Sequence, residues 1–393
     1  MKLAALVVNH DSGPHALECV RSLRAESRAA GLPSPRIVVV DCGSTVDQRE
    51  AFEGLRALGA EVLLAANLGY AGGMQLASSR AAGAEAVLAL NPDLVFTPGS
   101  LARMLETSRE EPRAIVAPRT CIDEGGALLL PPIELPGAWR ELRQALAGVD
   151  SCVARDISLL AARSRISAWT AKAAHRAEML SGACLLVPRA TLLALGLFLD
   201  ERYPLYYEDA DLCRRARTHG VPLVVEPRAL VAHRWSRSAG HGARYAGEPL
   251  RRMRLSRELY LREHHGTRGL LAARLVALLE TRAQAVAIHA CRELGSIDAD
   301  PAIGTPGLFE AGPGEESLFE VAVSPGFGLC AGRVLAPFER PGFGGAWGWL
   351  PEGRYWMRRL ATSDLRLLGA WTFHKSSASI EPAARRGAVE EAA

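Results

Sequence analysis

Short apolar runs alternate with helix-like stretches through the first 120 residues, and each run ends in a polar cluster. Leu3–Val8, Arg36–Val40, Glu61–Ala65, Ala86–Leu90 and Ala114–Ala117 read as strands. Helices are expected near 16–30, 46–58, 73–82 and 100–110. Apolar strands separated by amphipathic helices mean βαβ units and a mostly parallel sheet flanked by helices. Such sheets take ligands outside the carboxyl ends of their strands. The polar clusters fall at those ends: Asn9 to Asp11, Asp41 to Ser44, Asn67 to Gly73, and Asn91 to Asp93.

Between about 120 and 177 the alternation weakens, which reads as an insertion with helices that shapes an acceptor side. Order returns with a strand at 181–188, a helix from Glu208 to about His219, and strands at 222–225 and 229–232 leading into His233. Two helices follow, about Arg244–His265 and Thr267–Leu294. The expected divisions are a main unit over 1–240, a helical extension over 241–294, and a Gly, Pro, Asp and Glu-rich linker over 295–316. A small β-rich unit over 317–376 and a disordered tail over 377–393 complete the chain. Trp347, Trp349, Tyr355, Trp356 and Trp371 concentrate in the β-rich part, which suits a glycan-binding module or a packing or dimerising element equally.

Several classes are excluded. With 46 basic and 43 acidic residues the net charge is +3, too balanced for a nucleic-acid partner. Eight cysteines without a CxxC pair argue for buried thiols in a reduced, cytoplasmic setting. Leu3–Val8 is too short for a signal-peptide core, and no apolar run reaches the ~18 residues of a membrane span. The expected location is cytoplasmic, at most peripheral at the inner face of the plasma membrane. There is no G-x-G-x-x-G after the first strand, no P-loop, no G-x-S-x-G and no H-E-x-x-H.

Carboxylates and amides at strand ends remain. Asp41, in a tight Gly43-Ser44 turn, is placed to accept hydrogen bonds from a base or ribose, and Asn67 with Gly69, Gly72 and Gly73 lets the backbone approach a nucleotide. Turn and N-cap roles explain Asp41 and Asn67 as well. Asp93 suits a hard divalent cation (Mg or Mn) shared with a diphosphate. His233 is either a second ligand to it or a structural histidine.

Five spaced motifs resemble those of family 2 glycosyltransferases, in the same order. They are Val7-Val8-Asn9-His10-Asp11, Val39-Val40-Asp41-Cys42-Gly43-Ser44, Asn67-Leu68-Gly69-Tyr70-Ala71-Gly72-Gly73, Leu90-Asn91-Pro92-Asp93 and Tyr207-Glu208-Asp209-Ala210-Asp211-Leu212-Cys213. Tyr260-Leu261-Arg262-Glu263-His264-His265-Gly266 resembles the helix that follows catalysis in the rhamnosyltransferase-like branch, so the likeness spans about 1–270.

The resemblance implies a GT-A nucleotide-diphospho-sugar transferase fold with C-terminal helices. It implies a donor site made by Asn9, Asp11, Asp41, Ser44, Asn67, Gly69, Gly72, Gly73, Asn91 and Asp93. Asn91-Pro92-Asp93 takes the metal-binding D-x-D position, with asparagine first, so Asp93 and His233 are the metal candidates. Asp209 resembles the catalytic base, with Glu208 beside it. Ser181, Gly182, Tyr207 and Trp235 are the acceptor candidates, with Tyr206 and Arg237 near the same opening. Arg251, Arg252, Arg254, Arg257 and Arg262 form a helix face for anionic lipid headgroups, or a solvated face paired with Glu248, Glu258 and Glu263.

The implied activity is inverting transfer of a sugar, rhamnose among the candidates, to a hydroxyl of a glycan or lipid-linked acceptor during surface-glycan synthesis. A homodimer is left open. The alternative from another class is a non-catalytic sugar-nucleotide or glycan-binding protein.

Overall fold

The computed structural model describes residues 1–234, 247–281, 292–297 and 314–375. Trp235, Arg237, the boundary at 240, most of the expected linker and the tail from 377 lie outside them.

In chain order the first unit is β1 (Leu3–Asn9), α1 (Gly13–Ala29), β2 (Arg36–Cys42), α2 (Arg49–Ala57), β3 (Ala60–Ala65), α3 (Gly69–Ser79), β4 (Ala86–Leu90), β5 (Leu94–Phe96), α4 (Ser100–Glu110) and β6 (Ile115–Cys121). Then come α5 (Ala138–Leu146), α6 (Ser151–Thr170), β7 (His175–Arg176), β8 (Cys184–Pro188), α7 (Arg189–Leu195), α8 (Glu208–Thr218), β9 (Leu223–His233) and α9 (Gly247–Glu280).

The strands form one sheet in the order β3-β2-β1-β4-β8-β6-β9-β5, with β7 beside β9. β3, β2, β1, β4, β6 and β9 point one way, and β8, β5 and β7 the other. Every residue of β1 is buried, because alternate side chains enter cores on the two faces. Ala4, Leu6 and Val8 meet Met74 and Ala77 of α3, while Ala5 and Val7 meet Val20 and Leu23 of α1.

Register brings the polar clusters to one edge. Asn9 pairs with Asp41 across β1 and β2, Leu90 with Cys184 across β4 and β8, and Leu94 with His233 across β5 and β9. The carboxyl ends of β1, β2, β4 and β9 therefore meet the amino ends of β5 and β8.

Some expected elements change. The two short strands near 222–232 are the single strand β9. α9 does contain two helices, because Gly266 breaks it at φ 61° and ψ −144°. The halves fold back on each other: Arg254 and Arg257 of the first reach Glu280 of the second, at 3.0 Å and 2.7 Å. The expected helix to Leu294 is corrected, since Arg292–Ile297 is strand β10 of a second sheet.

That sheet runs β10-β14-β13-β11-β12, with β11 (Ser317–Ala322), β12 (Cys330–Leu335), β13 (Gly353–Ala361) and β14 (Leu367–Lys375), and a short helix α10 (Ala346–Trp349). It is bonded to the 120–177 region. Leu129 exchanges backbone hydrogen bonds with Gly332, at 2.8 Å and 3.0 Å. Arg165 of α6 and Arg358 of β13 close on Glu320 of β11, each at 2.5 Å, with all three side chains buried. Among the aromatic residues, Trp347 and Tyr355 are spent in the core beneath this sheet with Phe343 and Phe373. Trp349 is partly buried under the Arg234 guanidinium, 3.8 Å from its ring centre.

Candidate active site

Asn9 ends β1 and is wholly buried. Its Nδ2 donates to Asp41 Oδ1 at 2.7 Å and to Ser44 Oγ at 3.3 Å, and Ser44 Oγ donates to Asp41 Oδ1 at 2.5 Å. Asp11 spends both carboxylate oxygens on the same loop, accepting from Thr45 N at 2.6 Å, Thr45 Oγ1 at 2.8 Å and Val46 N at 3.1 Å. What burial it has pushes the Asp11 carboxyl up, but those hydrogen bonds outweigh it and hold the group below its ordinary value. Asp11 therefore shapes the β2 loop from a left-handed backbone, φ 53°. Asn67 turns the chain into α3, its Oδ1 accepting from Gly69 N at 3.1 Å, and Gly72 faces Leu68. Gly73 needs its missing side chain for packing against the sheet rather than for an open cleft: a Cβ there would come within 2.8 Å of Cys42 Sγ and 2.9 Å of Val8.

Asp93 and His233 face each other across the β5–β9 pair, Oδ1 to Nε2 at 3.3 Å, and Asn91 Nδ2 lies 3.5 Å from the same imidazole nitrogen. Burial pushes the Asp93 carboxyl up, but the His233 imidazole beside it wins and holds it below the ordinary range. An oxygen and a nitrogen donor converging in this way fit a divalent cation of the manganese type.

Glu208 opens α8 and is only 8% exposed, while Asp209, next in the helix, is half-buried. Asp209 Oδ2 accepts from Gly182 N at 3.0 Å, and Oδ1 accepts from Ala210 N at 2.8 Å. Glu208 Oε2 has no hydrogen-bond partner among the described residues. Burial, then the charge of Asp209, pushes the Glu208 carboxyl up to about 8. Burial also raises Asp209, against the pull of its two N–H donors. The Gly182 and Ala210 N–H groups favour the charged form of Asp209, whereas burial and the neighbouring Asp209 charge favour the neutral form of Glu208.

The backbone leading into this pair is strained: Tyr206 and Tyr207 sit at φ 62° and 66°, a region costing bulky residues ~1–3 kcal/mol each. Tyr207 is held there by its hydroxyl, which donates to Glu141 Oε1 of α5 at 2.8 Å and accepts from Arg257 of α9 at 3.3 Å. The Tyr207 hydroxyl is thus engaged by two helices, which leaves its half-buried ring as the part that could meet an acceptor. Asp211 likewise holds α8 to α9. It pairs with Arg215 at 2.7 Å and His264 at 3.0 Å, and the neighbouring Glu263 pairs with Arg202 at 2.8 Å. Asp211, Glu263 and His264 have the spacing of a metal cluster, but both carboxylates are already neutralised by arginines.

Tyr70 was not singled out in the sequence, although it lies within the Asn67–Gly73 motif. Its buried hydroxyl donates to the Gly182 carbonyl at 2.9 Å. Burial first, then the charges of Glu208, Asp209, Cys184 and Asp93, push it well above its ordinary value. The phenol therefore feels the negative charge of the Glu208–Asp209 pair and, more weakly, that of Asp93. An aromatic hydroxyl amid glycines at a helix start was the available signal.

Gly182 joins the two sides. A Cβ there would lie 3.1 Å from Asp209 Cβ and 3.4 Å from its Oδ2. Gly182→Ala is expected to displace Asp209 and cut turnover by about tenfold or more while the fold survives; unchanged kcat with an unchanged melting temperature would refute this. Ser181 lines a cleft of about 420 Å³ with Ile133, Trp169, Leu180 and Arg119.

Residues 2–253 match the family described as Glycosyltransferase like family 2, and the chain belongs to that family. Its mostly parallel sheet with flanking helices is the GT-A arrangement, carrying an additional antiparallel β-rich sheet. Among curated proteins it is similar to the N-acetylglucosaminyl-diphospho-decaprenol L-rhamnosyltransferase of Mycobacterium tuberculosis, strains CDC 1551 / Oshkosh and ATCC 25618 / H37Rv. Identity is 30% over 257 residues, 61% of this chain and 78% of the relative. Among solved structures, S. aureus TarS 1-349 in complex with UDP aligns at 15% identity and a TM-score of 0.43, over 68% of this chain and 73% of that one. GalNAc-T7 with UDP, GalNAc and Mn2+ aligns at 14% identity and a TM-score of 0.41; 59% of this chain spans only 44% of that chain.

Proposed function

We propose that the chain transfers a sugar, rhamnose by likeness to the mycobacterial relative, from a nucleoside-diphosphate donor to a hydroxyl of a lipid-linked or glycan acceptor, with inversion. The observation that carries this reading is the Gly182-Ala183 backbone at the edge of the sheet: Gly182 N donates to Asp209 Oδ2 at 3.0 Å and the Ala183 carbonyl accepts from Asn91 N at 2.8 Å, two residues from Asp93. Asp209 is the general base: its anion, oriented by the Gly182 and Ala210 N–H groups, takes the acceptor hydroxyl proton. The acceptor oxygen bonds to the anomeric carbon as the bond from that carbon to the diphosphate oxygen breaks on the opposite face. The nucleoside diphosphate leaves as an anion and needs no protonating acid, unlike the leaving alcohol of a glycoside hydrolase. Asp93 and His233 would hold the divalent metal, which supplies positive charge for the departing diphosphate. Asp41, with Asn9 and Ser44, lines the nucleoside side. Ser181 and the apolar cleft it borders take the acceptor side.

Chelation tests the reading. Turnover with a nucleotide-sugar donor is expected to fall to background in EDTA and to return with manganese, and Asp93→Ala is expected to lose that metal response. Full turnover in EDTA would remove the metal from the mechanism. A protein that binds donor but neither transfers nor hydrolyses it, with metal present, would instead be a binding protein.

A further inference from the structure

The arginine face expected on the first half of α9 is largely spent in ion pairs, at the surface for Arg251 and Arg252 and inside for Arg257. Arg251 and Arg252 pair with Glu248 at 2.7 Å and 2.9 Å, Arg254 with Glu280, and the buried Arg257 with Glu141 and Glu280. The second half, after the Gly266 break, is different. Its inner face buries Gly269, Ala272, Ala273 and Val276. Its outer face shows Leu271, Leu275 and Leu278 at 61%, 48% and 51% exposure, with the i, i+4, i+7 spacing that puts them on one stripe.

Arg268 and Arg274 flank that stripe on its two sides, both exposed and without an ion-pair partner among the described residues. From 267 to 280 the sequence holds one carboxylate, Glu280, and it is engaged by Arg254 and Arg257. An exposed leucine stripe bordered by unpaired arginines has the layout of a helix lying in a membrane interface, leucines toward the acyl chains and guanidinium groups at the phosphates. No helix among the described residues is long and apolar enough to cross a bilayer, so the contact is with its surface.

We propose that the second half of α9 docks this protein on an anionic lipid surface through Leu271, Leu275 and Leu278, with Arg268 and Arg274 on the headgroups. The unpaired positive charge beside the leucines selects a negatively charged bilayer over a second copy of the chain, whose same face carries the same charge. The inference stands apart from the transfer reaction, because binding is measured without turnover.

The test is vesicle flotation of the full-length protein with phosphatidylglycerol-containing and with pure phosphatidylcholine vesicles. Two arginines near the surface predict a preference of about thirtyfold for the anionic vesicles, lost at high salt. Leu271→Gln/Leu275→Gln/Leu278→Gln is expected to abolish flotation while its circular dichroism is unchanged, and Arg268→Gln/Arg274→Gln to remove the anionic preference. Equal flotation of the leucine variant, or no wild-type preference for anionic vesicles, overturns the proposal. So does a wild-type dimer in light scattering that the leucine variant turns into a monomer, which would make the stripe a self-interface.

Discussion

Asp209→Asn is expected to lower sugar transfer by about a thousandfold, the usual weight of a general base, while donor affinity stays within about twofold of wild type. The adjacent Glu208→Gln is expected to keep turnover within about threefold, because Glu208 already carries a proton below pH 8 or so. Two neighbouring carboxyls are thus separated by their surroundings: Asp209 accepts two backbone N–H bonds and Glu208 Oε2 accepts none. Acceptor-saturated rates and donor calorimetry on both variants check the pair. An active Asp209→Asn would take the base role from Asp209, and an inactive Glu208→Gln would give Glu208 a share of it.

The same pair predicts a pH dependence of stability. Unfolded glutamate releases its proton near 4.5, whereas folded Glu208 holds it to about 8. Across that window the folded state binds more protons, so stability falls as the pH rises, and the loss is complete above the folded value. Glu208→Gln removes this slope and is expected to be more stable than wild type at pH 8, by on the order of a few kcal/mol. Urea titrations at pH 5 and pH 8 measure it; parallel curves for the two proteins at both pH values would contradict the assignment.

Glu320→Gln is expected to cost about 3–5 kcal/mol, the largest stability effect foreseen for one residue here. Burial pushes the Glu320 carboxyl up, but Arg358 and Arg165 outweigh it and keep the group ionised. Removing its charge leaves two buried guanidiniums facing each other between α6 and the C-terminal sheet. Arg165 retains the Phe327 carbonyl at 2.8 Å, and Arg358 retains Ser158 Oγ at 2.6 Å and the Phe327 ring at 4.2 Å, neutral groups that do not cancel a charge as Glu320 does. Replacing all three charged residues by methionine or leucine is expected to recover most of the loss, because the desolvation cost then disappears as well. Equilibrium unfolding decides this, and a loss below about 1 kcal/mol for Glu320→Gln would mean that water or rearrangement already screens the site.

Much of this molecule is written locally. Continuous apolar runs and the helix-like stretches between them mark β1 to β4 with their helices, and the polar residues after each strand mark the binding edge, because a parallel crossover sheet returns every carboxyl end to the same side. The Gly266 break was legible for the same reason, a glycine between two helical stretches. Side-chain direction was not. The Tyr207 hydroxyl turns to Glu141 and Arg257, partners 66 and 50 positions away that no local pattern marks. Gly73 looked like room for a nucleotide, but its missing Cβ leaves room for Val8 and Cys42.

The chain alone thus determined the sheet, the strand-end clusters and the family motifs, since each depends on residues close together in sequence. Only the tertiary structure decided that Asp93 meets His233, 140 positions later, that Tyr70 and Asp209 both bond to Gly182, and that burial pushes the Glu208 carboxyl up. Those outcomes follow from burial and from donors supplied by distant strands, quantities that no local pattern encodes.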